Sequence, residues 1–246
     1  MLSLLCYVNY GYAETRVEVV FKKPIDQVEK NIQKKLQSSD AITSVVNVIN
    51  SNFRIPETLN IIFGGDDGPL YDPETNNIYM PYYFLEEVKK RFVKANYSET
   101  GVSINDATLD ALMHTLFHEV AHAFIAMFDL PVLGKEEDAA DSLASVFLTD
   151  YFEQGQEILL SAADLFSLES EDKDALDEQD FWGEHSLDEQ RFYSALCHVY
   201  GSAPDEYHYL KKDAGFSERR ADLCIEEYEA LLRSWHTVLK PYTKLK

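Results

Sequence analysis

The sequence predicts an α+β fold, with a small antiparallel or mixed sheet packed on a predominantly helical body. Three observations predict it. Short strand-like runs fall in the N-terminal part, before Pro81. From Tyr82 onward, apolar residues recur mainly at the three- and four-residue spacing of helices. The longest such pattern, residues 105–128, is largely apolar yet carries His118-Glu119-Val120-Ala121-His122, which places this helix at the centre of the body.

The elements follow in order. Residues 15–21 alternate weakly and read as a strand. Residues 24–53 read as helical, broken near Ser38-Ser39-Asp40, because serine and aspartate favour caps over helix interiors. Leu59-Asn60-Ile61-Ile62-Phe63 is a strand, stopped by Gly64-Gly65-Asp66-Asp67-Gly68. Tyr71 and Ile78-Tyr79-Met80 flank the turn-rich stretch from Asp72 to Asn77, the pattern of a hairpin. Helices are expected over 82–96, 105–128 and 136–152, and the remainder is mainly helical without internal repeats. Ser186-Leu187-Asp188-Glu189 has the form of a capping box at a helix start.

With 46% hydrophobic and 13% aromatic residues, the 246-residue chain has material for a substantial core. No linker-like composition interrupts it. Residues 14–246 are expected to form a single domain, with a sheet-containing lobe to about residue 104 and a helical lobe from about 105. Residues 1–13 read as a signal peptide or truncated export signal: residues 1–10 are mostly apolar and Gly11-Tyr12-Ala13 ends in a small residue, although a basic leader is missing. Leu5 before Cys6 is too large for a lipoprotein site. The expected location is periplasmic or secreted, or cytoplasmic if that segment is no signal. No later segment offers about 18 uncharged apolar residues, so no transmembrane span is expected. The chain carries 22 basic and 43 acidic residues, net −21, which argues against nucleic acid or an anionic membrane as partner. The dense acidic stretch 164–189 has no Asp-x-Asp-x-Asp-Gly loop and reads as solvated surface.

The chemistry lies in the histidine motif. Residues four apart on a helix share a face, so His118 and His122 can present ring nitrogens to one ion. Zinc takes nitrogen at about 2.0–2.1 Å, with three protein ligands and one open position where it is catalytic. Glu119 sits beside such an ion and is the candidate general base toward water. Glu137 is the candidate third ligand, ahead of its neighbours Glu136 and Asp138. It alone has a carboxylate four residues on, Asp141, placed to accept from a ligating histidine. At the same spacing Glu136 meets only Ala140. His114 lies roughly 12 Å along the axis from His122 and reads as packed rather than ligating.

FHEVAHAFI and LPVLGKEEDAADSLA, with YDPETNNIYMPYYF, HSLDEQRFYSALCHVYG and GFSERRADLC, resemble a bacterial metallopeptidase family catalogued as a domain of unknown function. More broadly the chain is similar to the gluzincin branch of HExxH zinc peptidases, to which thermolysin belongs, over most of its length after about residue 15. The resemblance implies a zincin-like fold around the HExxH helix, one zinc ion on His118, His122 and Glu137, Glu119 as base, and a peptide or protein substrate. The interval from His122 to Glu137 is shorter than in thermolysin. In such folds an extended peptide lies along an exposed sheet edge, a role assigned to residues 77–81, where Pro81 equally suits an ordinary protected edge.

A peptidase also needs a donor to the oxyanion; His185 and Tyr193 are candidates, ahead of His198 and His208. Cys197 and Cys224 lie in separate helices and can form a disulfide in an oxidising compartment, or remain buried thiols in a reducing one. Two readings compete with a peptidase: an exported binding or adaptor module with structural zinc, which a fourth protein ligand would mark, and a zinc amidase acting on a non-peptide substrate.

Overall fold

The computed structural model describes residues 16–172 and 175–244; the export segment expected at residues 1–13 lies outside the described residues. Four short strands, β1 (Val17–Phe21), β2 (Leu59–Phe63), β3 (Leu70–Asp72) and β4 (Asn77–Met80), form one sheet in the order β1-β2-β4-β3. The first three in that order run parallel and β3 is antiparallel to β4, so the sheet is mixed. Helices α1 (Gln27–Ser38) and α2 (Asp40–Asn52) make the crossover from β1 to β2. They divide at Ser39, whose hydroxyl accepts from the Ala41 N–H at 3.1 Å. Along β2, Leu59, Ile61 and Phe63 are fully buried, the two-residue alternation of a strand with one face on the core.

The hairpin forms for local reasons. Asp72 accepts from the Glu74 N–H at 2.9 Å and the Thr75 hydroxyl at 2.7 Å, while Asn76 takes the left-handed conformation at φ 54°. Which arm is outermost is set by tertiary pairing. Residues 77–81 were expected to be the sheet edge; instead β4 lies inside, bonded to β2 on one side and β3 on the other. The edge is β3.

After β4 come α3 (Tyr82–Lys94), α4 (Ile104–Phe128), α5 (Glu136–Tyr151), α6 (Gly155–Ser170), α7 (Glu178–Trp182), α8 (Asp188–Ser202), α9 (Leu210–Asp213) and α10 (Glu218–Leu239). Ser103 caps α4 by accepting from the Asp106 N–H at 3.1 Å. Helices α2, α3, α5 and α6 and strand β3 all pack on α4. Its length and hydropathy would suffice to cross a membrane, but 78% of that stretch is buried inside the protein. Phe53, Phe117, Phe124 and Phe147 join α4 to α5 and the end of α2, with Phe53–Phe124 and Phe117–Phe147 ring centroids both 5.1 Å apart. Each such buried ring contributes about 1.5–3 kcal/mol.

Two glycines are fixed by close approach. A Cβ on Gly155 would lie 1.9 Å from the Leu148 carbonyl oxygen, and one on Gly201 would lie 2.3 Å from the Cys224 carbonyl oxygen. The second contact draws α8 onto α10, and beside it the Cys197 and Cys224 sulfurs sit 2.08 Å apart, at disulfide distance. Helix α8 starts later than the capping box at Ser186 implied: Leu187 is the N-cap residue, and its N–H donates to the Gln190 side-chain oxygen at 3.1 Å.

Candidate metal centre

Helix α4 sets His118 and His122 one turn apart, with their Nε2 atoms 3.1 Å from each other. After the turn at residues 131–134, α5 returns along α4 and brings Glu137 to them. Its Oε2 lies 3.1 Å from His118 Nε2 and 3.3 Å from His122 Nε2. These three are a group of donors able to hold one metal ion. Ligands at about 2.0–2.1 Å from a tetrahedral ion stand roughly 3.3 Å apart. The observed triangle therefore has the size of one face of that tetrahedron.

The far nitrogen of each ring is held by α5. His118 Nδ1 lies 2.8 Å from Asp141 Oδ1, and His122 Nδ1 lies 2.8 Å from Glu136 Oε1. A carboxylate at Nδ1 fixes the proton there and turns the Nε2 lone pair toward the other donors. Sequence spacing placed Asp141 in this position but left Glu136 without a task. Glu136 reaches His122 across the interhelix turn, a contact that spacing within α5 does not reveal. Asp141 in turn accepts two bonds from Arg191 on α8, at 2.7 Å from Nε and 2.9 Å from Nη2. Arg191 was also not read from sequence, and no local signal marks it.

The electrostatics follow from these contacts. Burial opposes charge on His118, but its bonds to Asp141 and Glu137 outweigh burial and raise its pKa to about 9. Burial likewise disfavours charge on Glu137, yet the three histidines around it hold it well below the ordinary carboxylate range. Asp141 is held low against burial by His118 and Arg191. Glu119 differs: its burial raises its pKa, with His118 and His122 opposing and the Tyr71 backbone N–H donating to its carboxylate.

These groups open on a cleft of about 760 Å³, bounded by Leu70 and Tyr71 of β3 on one side and by Glu184 and His185 on the other. His185 Nε2 is 2.8 Å from Glu137 Oε2. Its loop is clipped by Lys135, whose Nζ donates to the carbonyls of Gly183 at 3.0 Å and His185 at 3.1 Å. Tyr193, the other oxyanion candidate, is not in this cleft. It meets Phe192 edge-on and Phe216 at a tilt, and lines a separate groove. It follows Arg191 by two residues and so points roughly 200° around α8 from it.

The remaining histidines lie elsewhere. His114 is buried edge-on to Phe166, outside the donor group, and burial lowers its pKa to about 3. His198 meets the Ser145 hydroxyl at 3.0 Å and is lowered by burial to about 4. His208 is exposed and bonds the Asp205 carbonyl.

A family model described as "Putative metallopeptidase" matches residues 21–239. No curated protein and no solved structure matches the chain.

Proposed function

Since the chain belongs to this metallopeptidase family, we propose that it is a zinc-dependent peptidase, of zincin-like build, working in the cleft between β3 and the loop after α7. The observation that carries the reading is the donor triangle of His118, His122 and Glu137, with Glu119 beside it. Two imidazoles and one carboxylate suit zinc better than a hard, oxygen-seeking cation. When bound, zinc polarises the scissile carbonyl and lowers the pKa of water to about 7.

The side chains divide the remaining work. Glu119 takes a proton from the attacking water and passes it to the leaving amine. Its burial raises its proton affinity, which suits a group that must hold and return a proton. His185, whose loop Lys135 clips and whose Nε2 rests on Glu137 Oε2, would turn from that carboxylate to donate to the oxyanion. The outer side of β3, whose Tyr71 N–H is taken by Glu119, is the edge along which an extended peptide would lie as an added strand. Glu184 on the rim and the net charge of −21 favour cationic peptides.

Structural zinc sites carry four protein ligands. Among the described residues three donors form the group, which favours an open, catalytic site over an adaptor module. The Cys197–Cys224 pair supports export to an oxidising compartment. The buried cluster running from Val17 to Leu239 supports treating residues 14–246 as one catalytic unit.

Metal analysis with cleavage profiling on a peptide library tests the proposal. The parent and Glu119→Gln are expected to carry about one zinc per chain, and the variant to lose about 10²- to 10⁴-fold in cleavage rate. Cleavage by Glu119→Gln at the parent rate would overturn the assignment.

A further inference from the structure

Arg191 stands behind the metal centre, on the side away from the cleft. It is absent from the cleft walls and instead lines a separate cavity of about 350 Å³ between α5, α6 and α8. Its side chain is 14% exposed, and its guanidinium lies 4.0 Å above the Phe166 ring. Both limbs of its fork end on Asp141, and Asp141 Oδ1 is shared between Arg191 Nη2 and His118 Nδ1. The path from α8 through α5 to His118 Nδ1 on α4 contains three polar contacts, none longer than 2.9 Å.

A carboxylate held by one histidine alone can rotate about its last torsion, and its lone pairs then wander from the ring plane. A two-pronged guanidinium removes that freedom, because both oxygens must stay in the plane of the fork. Phe166 and the packing of α8 on α6 and α10 keep the fork itself in place. Six residues along α8, Cys197 joins that helix to α10.

We infer that Arg191 is a positioning residue for the metal: by locking Asp141 it fixes the Nδ1–H tautomer and the aim of His118, and so sets how tightly the ion is held. Substrate does not reach it. The inference rests on the zinc reading above and deepens it, since it assigns metal retention to a residue on a third helix.

Zinc affinity, measured by competition with a chromogenic chelator, tests it without any activity assay. Arg191→Met is expected to weaken zinc binding about 10-fold, within the loss expected for removing the Asp141 charge itself. Arg191→Lys, which keeps the charge but not the fork, should recover part of that loss. In an Asp141→Asn background neither substitution should weaken binding further, because the element through which Arg191 acts is already gone. Melting of the metal-free proteins identifies variants that fail to fold; should Arg191→Met be among them, the Arg191→Lys pair carries the test. Parent-like affinity in a folded Arg191 variant, or an undiminished loss in the Asp141→Asn background, overturns the inference. A parent protein that takes up no zinc removes the reading beneath it as well.

Discussion

Asp141 and Glu136 hold the two donor histidines at the same distance, 2.8 Å, yet replacing them should have unequal consequences. Asp141→Asn and Glu136→Gln make the same change, from carboxylate to amide of equal shape. What separates them is solvent: the Asp141 side chain is 18% exposed and the Glu136 side chain 52%. A charge-assisted bond in a buried place is worth about 1.5–3 kcal/mol, and the amide retains only the part of a neutral bond. The expected loss of zinc affinity for Asp141→Asn is therefore about 1–2 kcal/mol, roughly 5- to 30-fold. An exposed pair is worth about 0–1 kcal/mol, so Glu136→Gln should cost less than about fivefold. Raising the salt concentration should erase the small Glu136 effect and spare the larger one, since screening reaches exposed pairs first. Chelator competition at low and high ionic strength reads both quantities. Equal losses for the two variants, or a larger one for Glu136→Gln, would refute the claim that burial ranks these contacts.

Two further predictions concern stability. Asp110 on α4 accepts from the Ser161 hydroxyl at 2.8 Å, and burial pushes its pKa up to about 6. A carboxyl whose folded pKa lies above its unfolded value stabilises the fold below about pH 4 and loses that contribution as pH rises through 6. After allowance for partial exposure the cost at pH 8 is about 1–2 kcal/mol. Asp110→Asn should thus raise the melting temperature at pH 8 and change it little at pH 4; the same gain at both would contradict the assignment. The link between Cys197 and Cys224 spans a sequence separation of 27, for which the loop-entropy relation gives about 3.5 kcal/mol. Replacing both with serine should lower the melting temperature by about 7–14 °C. A melting curve unmoved by the double substitution and by reductant would show that the link does not stabilise the fold.

How much of this was legible in the sequence depends on the range of the interaction. The break at Ser39, the buried alternation of β2 and the turn at Asp72–Asn77 are local, and each was readable from adjacent residues. So was the four-residue phase that sets His118 beside His122 and Glu137 beside Asp141. The outer strand was misplaced because strand order depends on the crossover from β1 to β2, which leaves β4 flanked on both sides. Tyr193 was misplaced because the facing of α8 was unknown; once Arg191 is seen to bind Asp141, its neighbour two residues on must point away. Arg191 is 50 residues from Asp141, and the bond joining them follows from the packing of α8 on α5, which neither local sequence encodes.

The start of α5 shows why one register was legible and its rivals were not. Glu136, Glu137 and Asp138 are consecutive, so their side chains leave the helix about 100° apart. Glu137 and Asp141 differ by only about 40° and both face α4. That shared face is what marks Glu137 out in the sequence. The flanking acids do not idle: Glu136 turns to His122, and Asp138 turns to the cavity that Arg191 lines. Sliding the helix by one residue would bring Glu136 or Asp138 to the histidine nitrogens but would carry Asp141 away from both His118 and Arg191. Only one phase satisfies the donor triangle and the polar chain behind it together.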